Sequence, residues 1–127
     1  TETITTDKII IATGSKPASL PNIKIDKKRI ISSTEALALQ EIPKHLMVVG
    51  GGVIGVEIGS VFARLGSKVS IVEYFDSLIA TMDGALGHQL HRSLRKQGID
   101  FYFPRNASQC HLFLLKLLYG QPLVLKL

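Results

Sequence analysis

The sequence predicts an α/β fold with a partly parallel sheet, and three observations carry that prediction. A continuous apolar run, Leu46 to Val49, ends in three consecutive glycines, Gly50, Gly51 and Gly52. Those glycines open a stretch in which Ile54, Ile58, Val61, Phe62 and Leu65 recur at helical spacing. A second apolar run, "KVSIVE", follows and ends in an acidic residue, Glu73. Strand, helix and strand in that order form the unit of α/β folds, in which the crossover helix makes the two strands parallel.

The totals suit one globular domain: 127 residues, 46% hydrophobic and 20% charged. The chain starts at Thr1 with no basic segment leading into an apolar one, so neither a signal peptide nor a transit peptide is expected, and it reads like a piece of something longer. Cys110 is the single cysteine, which excludes an internal disulfide, a dithiol couple or a zinc cluster within the chain. The net charge of +5 owes much to "KIDKKR" at 24–29. With no interleaved aromatics, that stretch is expected to be a solvated loop, and no nucleic-acid partner is expected.

Taken in order, "DKIIIATGS" predicts a short buried strand through Ile9, Ile10 and Ile11, running into a turn at Gly14. "KPASLPNIKIDKKR" has two prolines and many polar residues and reads as a connector. In "SSTEALAL", Ser32 and Glu35 fit a capping box opening a short helix that ends before Pro43. After the central strand and glycines, Gly55, Gly59 and Ala63 form a narrow strip along the next helix, which Gly66 stops. Asp83 can cap a further helix through about Gln97, Gly98 can end it, and "IDFYF" reads as a third strand. The final stretch, "HLFLLKLLYGQPLVLKL", is interrupted by Lys116, Gly120 and Pro122, so buried strand or helix is expected there rather than a membrane span.

Gly50, Gly52 and Gly55 stand at the spacing G-x-G-x-x-G. In a Rossmann-like dinucleotide-binding unit the first glycine makes the tight turn, the second lets a pyrophosphate approach the backbone, and the third brings helix and strand together. The expected phosphate-binding turn is therefore Gly50, Gly51, Gly52, Val53, Ile54 and Gly55, with first-turn N–H groups and the helix dipole holding the phosphates. Glu73 ends the following strand 18 residues after Gly55, where its carboxylate can accept bonds from both hydroxyls of an adenine ribose. No arginine stands beside it in "VEYFD" to neutralise a 2′-phosphate, so NAD is expected over NADP. Glu57 falls in what reads as the first turn of the helix, where any carboxylate favours the dipole. His45, His88, His91 and His111 form no metal-ligand grouping.

The segments "KIIIATGSKPASLP", "ISSTEALAL", "IPKHLMVVGGGVIGVEIGSVFARLGSKVSIVE" and "MDGALGHQLHRSLRKQGIDF" resemble, in order, the pattern of the pyridine nucleotide-disulfide oxidoreductases from about Asp7 to Phe103. Within that family the likeness is greatest to the dihydrolipoamide dehydrogenase branch, through "GVIGVEIGSVFARLGSKV"; mercuric and glutathione reductases share the layout. The resemblance implies a homodimeric flavoenzyme that passes electrons from dihydrolipoyl groups through a cysteine pair and FAD to NAD, serving a 2-oxo acid dehydrogenase complex in the cytoplasm or mitochondrial matrix. It implies that Thr13, Gly14 and Ser15 end an FAD domain and touch the flavin nucleotide, and that Glu57 lies near the nicotinamide. Gly55 and Gly59 also resemble the NAD-using members.

The departures divide the chain. The family's C-x-x-x-x-C pair, first FAD glycine motif and C-terminal His-Glu pair are absent. The expected division is 1–31 as the end of an FAD domain with its connector, 32–103 as the NAD-binding domain, and 104–127 as a divergent tail lacking the family's antiparallel meander and second alanine-threonine-glycine strand. By itself the chain is expected to be colourless and inactive. A stand-alone nucleotide-binding module without chemistry is the alternative that the missing cysteines also fit.

Overall fold

A central strand of a parallel sheet is covered on both faces, so it needs unbroken apolar sequence rather than alternation. Strand β2 (His45–Val49) meets that need, with Leu46, Met47, Val48 and Val49 all buried. Strand β3 (Lys68–Val72) repeats the pattern and pairs parallel to β2 in register from His45 opposite Lys68 to Val49 opposite Val72. The structure, a computed structural model, describes residues 2–14 and 24–103, together with the backbone of 123–126.

Strands β1 (Ile30–Ile31), β4 (Asp100–Tyr102) and β5 (Leu123–Lys126) complete a five-stranded sheet in the order β1-β5-β2-β3-β4. Every pairing among the described strands is parallel, so this is an α/β sheet of the Rossmann-like kind expected. Helix α2 (Val53–Arg64) crosses from β2 to β3 and packs on both, while α3 (Gly84–Lys96) lies between β3 and β4 in the chain. Leu46, Val48, Ile58, Phe62, Val69, Ile71, Leu94 and Ile99 make the core between sheet and helices.

The helix ends follow from capping chemistry. Ser32 caps α1 (Ser33–Leu37): its side chain accepts from the Thr34 N–H, and Glu35 accepts from the Ser32 N–H at 2.9 Å, closing the expected capping box. At the end of α2 the Gly66 N–H reaches the Ala63 carbonyl at 3.1 Å and the Ser67 N–H reaches Phe62 at 3.0 Å. That is a Schellman closure, and it needs a residue at positive φ, which Gly66 supplies at +97°. Gly98, at +85°, ends α3 in the same way. Asp83 caps that helix through the Ala85 N–H at 2.8 Å.

One expectation needs correction. The isoleucine run forms no strand: Ile9, Ile10 and Ile11 are 78%, 91% and 83% exposed, because no strand among the described residues flanks them to supply backbone partners or apolar cover. On α2 the sheet-facing stripe is Gly55, Val56, Ile58, Gly59 and Phe62, whereas Ile54, Val61 and Leu65 are exposed. The small residues of the expected narrow strip therefore face inward, and a β-carbon on Gly59 would stand 3.2 Å from Ile71 Cδ1, a tight contact that the glycine avoids. The apolar tail contributes a strand, β5, in line with the expected strand or helix there, and it pairs parallel with β1 on one side and β2 on the other. Two strands with facing unpaired edges accept any extended segment that satisfies their backbone groups, whatever motif it carries. The expected loss of the meander falls on 104–122, outside the described residues, as does Ser15.

Candidate functional site

The glycine turn is built at the carboxyl end of β2, where open parallel sheets bind ligands. Gly50 takes φ +116°, a conformation closed to other residues, and turns the chain out of the strand. Gly52 is the N-cap of α2 and, having no side chain, makes no capping bond. The N–H groups of the helix's first turn are thus left unclaimed by a cap and directed out of the helix end, beside open space: a β-carbon on Gly52 would meet nothing within 4 Å. Donors with a dipole behind them and free approach in front suit a pyrophosphate.

Not every amide of the turn is free for this purpose. The Gly50 N–H is bonded to the Val72 carbonyl at 2.9 Å, and the Gly51 N–H to Glu73 Oε2 at 2.5 Å. Gly50 and Gly51 therefore give the turn its shape, and the donors left for phosphate begin at Gly52. Gly55 is buried against the sheet, as its place in the motif requires, while Val53 and Ile54 are exposed at the helix end.

Glu73 follows β3 directly and is half-buried. Its own N–H is bonded to the Tyr102 carbonyl at 3.0 Å, which fixes its backbone against β4. Its second carboxylate oxygen, Oε1, accepts from the Phe75 N–H at 2.8 Å. A carboxylate has about four acceptor positions, so two amides leave capacity for ribose hydroxyls. The structure thus brings the glycine turn and Glu73 together across two strand ends, as the sequence spacing anticipates.

Glu57 does not lie where it was expected. Helix α2 begins at Val53, so Glu57 is its fifth residue, in the second turn, and no acidic residue stands in the first. Its side chain is exposed, on a groove of about 430 Å³ between α2 and α3 lined also by Val56, Ser60, Arg64, Leu90 and Leu94. Thr13 and Gly14 lie in the exposed N-terminal segment, with Gly14 at φ +75°; the turn expected there runs into residues outside those described.

The loop after β3 contributes contacts that sequence reasoning missed. The Ile79 N–H donates to the Gly51 carbonyl at 2.9 Å, and Leu78, 1% exposed, lies over Gly51. Ile79 holds φ +45°, rare for a β-branched residue. The only hint in the sequence is an apolar pair inside a polar loop, "SLIATMD". Two histidines pack against the sheet's own residues: His45 Nε2 lies 3.0 Å from Ser70 Oγ, and His91 meets Phe101 and Phe103 edge-on at 4.7 and 5.3 Å. Burial pushes both imidazoles below their ordinary pKa, helped by Lys68 at His45 and by Arg95 and His88 at His91, while Asp100 opposes the shift at His45. Among the described residues no group of three His, Cys, Asp or Glu could hold a metal.

Comparison with known proteins places this geometry. The pattern of the family described as pyridine nucleotide-disulphide oxidoreductase matches residues 1–111, beyond both ends of the resemblance from Asp7 to Phe103. The mitochondrial dihydrolipoyl dehydrogenase of Dictyostelium discoideum is 52% identical over 107 residues, which are 84% of this chain and 22% of that protein. That of Pisum sativum is 56% identical over 93 residues, 73% of this chain and 19% of its own length. Among solved structures, the copper(II) complex of the HOCl-induced flavoprotein disulfide reductase RclA from Escherichia coli aligns with a TM-score of 0.66 and 35% identity, over 75% of this chain and 22% of that one. The chain thus spans about a fifth of the length of the curated relatives it matches.

Proposed function

The chain belongs to the pyridine nucleotide-disulphide oxidoreductase family, and from that membership we propose that it is the NAD-binding portion of a dihydrolipoyl dehydrogenase. The observation that carries the reading is the Glu73 carboxylate set beside a glycine turn whose helix leaves its first N–H groups uncapped. In this reading the amides from Gly52 through Gly55 bind the pyrophosphate and Glu73 accepts bonds from the adenosine ribose. NAD, when bound, supplies the acceptor for a hydride. The residues of this chain bind and orient it: Gly50 and Gly51 shape the turn, and Glu73 repels a 2′-phosphate by its charge.

The rest of the proposal concerns the longer protein. Its FAD would contact Thr13, Gly14 and Ser15, its redox cysteines would lie outside this chain, and Glu57 would approach the nicotinamide from the second turn of α2. Residues 32–103 form the NAD-binding domain, preceded by the end of an FAD domain and followed by a tail that closes the sheet through β5. Homodimerisation, service to a 2-oxo acid dehydrogenase complex, and a place in the cytoplasm or mitochondrial matrix belong to the same reading. The mitochondrial relatives support the matrix, and among the described residues no helix is long and apolar enough to cross a membrane.

Calorimetric titration of the chain with NAD tests the core of the proposal. NAD and ADP-ribose should bind at one shared site, because both carry the adenosine ribose and pyrophosphate, and nicotinamide mononucleotide should bind much more weakly. Equal binding of the mononucleotide and ADP-ribose would contradict the assigned orientation.

A further inference from the structure

We infer that Glu73 also sets the shape of the glycine turn before any dinucleotide arrives, as a positioning residue in addition to its proposed part in holding the ribose. The ribose part rests on the NAD reading above; the positioning part rests on contacts within the protein alone.

The peptide groups of Gly51 are held from both sides by the segment that follows β3. Glu73 Oε2 accepts the Gly51 N–H at 2.5 Å, and the Ile79 N–H donates to the Gly51 carbonyl at 2.9 Å. The carboxylate is itself anchored through Oε1 by the Phe75 N–H at 2.8 Å, so it bridges the turn after β2 to the loop after β3. This closure depends on Gly51 having no side chain: a β-carbon there would stand 2.7 Å from Leu78 Cδ2 and 3.1 Å from Glu73 Oε2. Ile79 donates to Gly51 from a strained φ of +45°, a conformation that persists only where its surroundings enforce it. With Gly50 and Gly51 fixed, the chain enters α2 in a set direction, and the uncapped amides of its first turn are set with it. A charge-assisted bond to a backbone N–H is among the stronger hydrogen bonds, so removing the carboxylate loosens the turn as well as the ribose contact.

Two measurements on the whole 127-residue chain test this. In the ligand-free, nitrogen-15-labelled protein, the near-isosteric Glu73→Gln should move the Gly51 and Phe75 amide resonances together, because both amides donate to the carboxylate that it replaces. In the second, NAD and an analogue lacking both adenosine ribose hydroxyls are titrated into wild-type chain and Glu73→Ala. A residue that only recognised hydroxyls would leave the analogue's affinity unchanged. Positioning predicts that Glu73→Ala weakens even the analogue by about tenfold, the equivalent of about 1.4 kcal/mol. Gly51 and Phe75 amides unmoved by Glu73→Gln, or equal analogue affinity in the two proteins, would overturn the inference. Failure of the wild-type chain to bind NAD while both amides still follow Glu73 would support the positioning contact and remove the cofactor reading.

Discussion

Replacing Gly51 with alanine puts a methyl group where two side chains already meet. The new carbon would lie 2.7 Å from Leu78 Cδ2 and 3.1 Å from both Cβ and Oε2 of Glu73, well inside contact distance. Leu78 is 1% exposed, so either it shifts with the core beneath it or the Glu73 carboxylate swings away from the turn. Overpacking of this kind costs about 1–3 kcal/mol, and loss of a charge-assisted bond costs about as much. With a urea slope of about 2 kcal/mol per M, a loss of about 2 kcal/mol lowers the unfolding midpoint by about 1 M. Gly52→Ala is the control, since nothing lies within 4 Å of its added carbon and its φ of −70° suits alanine. It should cost less than about 1 kcal/mol in stability yet weaken NAD binding, because the methyl group intrudes on the approach of the pyrophosphate. The assay is urea unfolding of both variants followed by NAD titration. A Gly51→Ala chain as stable as wild type, or a Gly52→Ala chain destabilised as much as Gly51→Ala, would refute the packing argument.

Further predictions concern parts of the fold away from the turn. Ser32→Ala removes the first half of the capping box at a buried position and should cost about 0.5–2 kcal/mol by urea unfolding, against no change for an exposed serine such as Ser93. The Ser32 hydroxyl and then its N–H hold the Glu35 carboxyl below its ordinary pKa, so that contribution is present above the unfolded pKa and is lost as pH falls through the folded value; the Ser32→Ala chain should lose less stability over that acid window. Burial, then Arg95 and His88, depress the pKa of His91, so folding favours its neutral form and stability should fall as pH drops from the ordinary histidine value through the lowered one. Proton resonance titration should place the His91 midpoint below 6.5, and a midpoint at or above that value would contradict its assigned surroundings.

Much of this architecture was legible because its signals are local. The run Leu46–Val49, the glycine spacing, the Ser32–Glu35 box, the Asp83 cap and the stops at Gly66 and Gly98 each depend on residues within one turn of one another. The meeting of Glu73 with the turn was legible because strand, helix and strand have little freedom in how they connect. What was not legible depends on partners far along the chain. Ile9–Ile11 has strand composition, yet a strand needs neighbours, and among the described residues none flanks it. Periodicity located α2, and its narrow strip marked the sheet-facing side at Gly55 and Gly59, but it did not show that Ile54, Val61 and Leu65 would be left exposed while Val56 is buried. The clamp by Leu78 and Ile79 left only an apolar pair as a trace, since it depends on a loop folding back onto a turn more than twenty-five residues earlier in the chain.

The central claim, that this is an NAD site whose choice of cofactor rests on Glu73, is tested most directly by titrating NAD and NADP against wild type, Glu73→Ala and Glu73→Arg. Loss of hydrogen bonds to a charged acceptor amounts to about 1.5–3 kcal/mol, so Glu73→Ala should weaken NAD roughly ten- to a hundredfold. Glu73→Arg should weaken NAD to a similar degree and bind NADP more tightly than wild type does, because a guanidinium can pair with the 2′-phosphate. NAD affinity unchanged in both variants would place the ribose elsewhere and contradict the account.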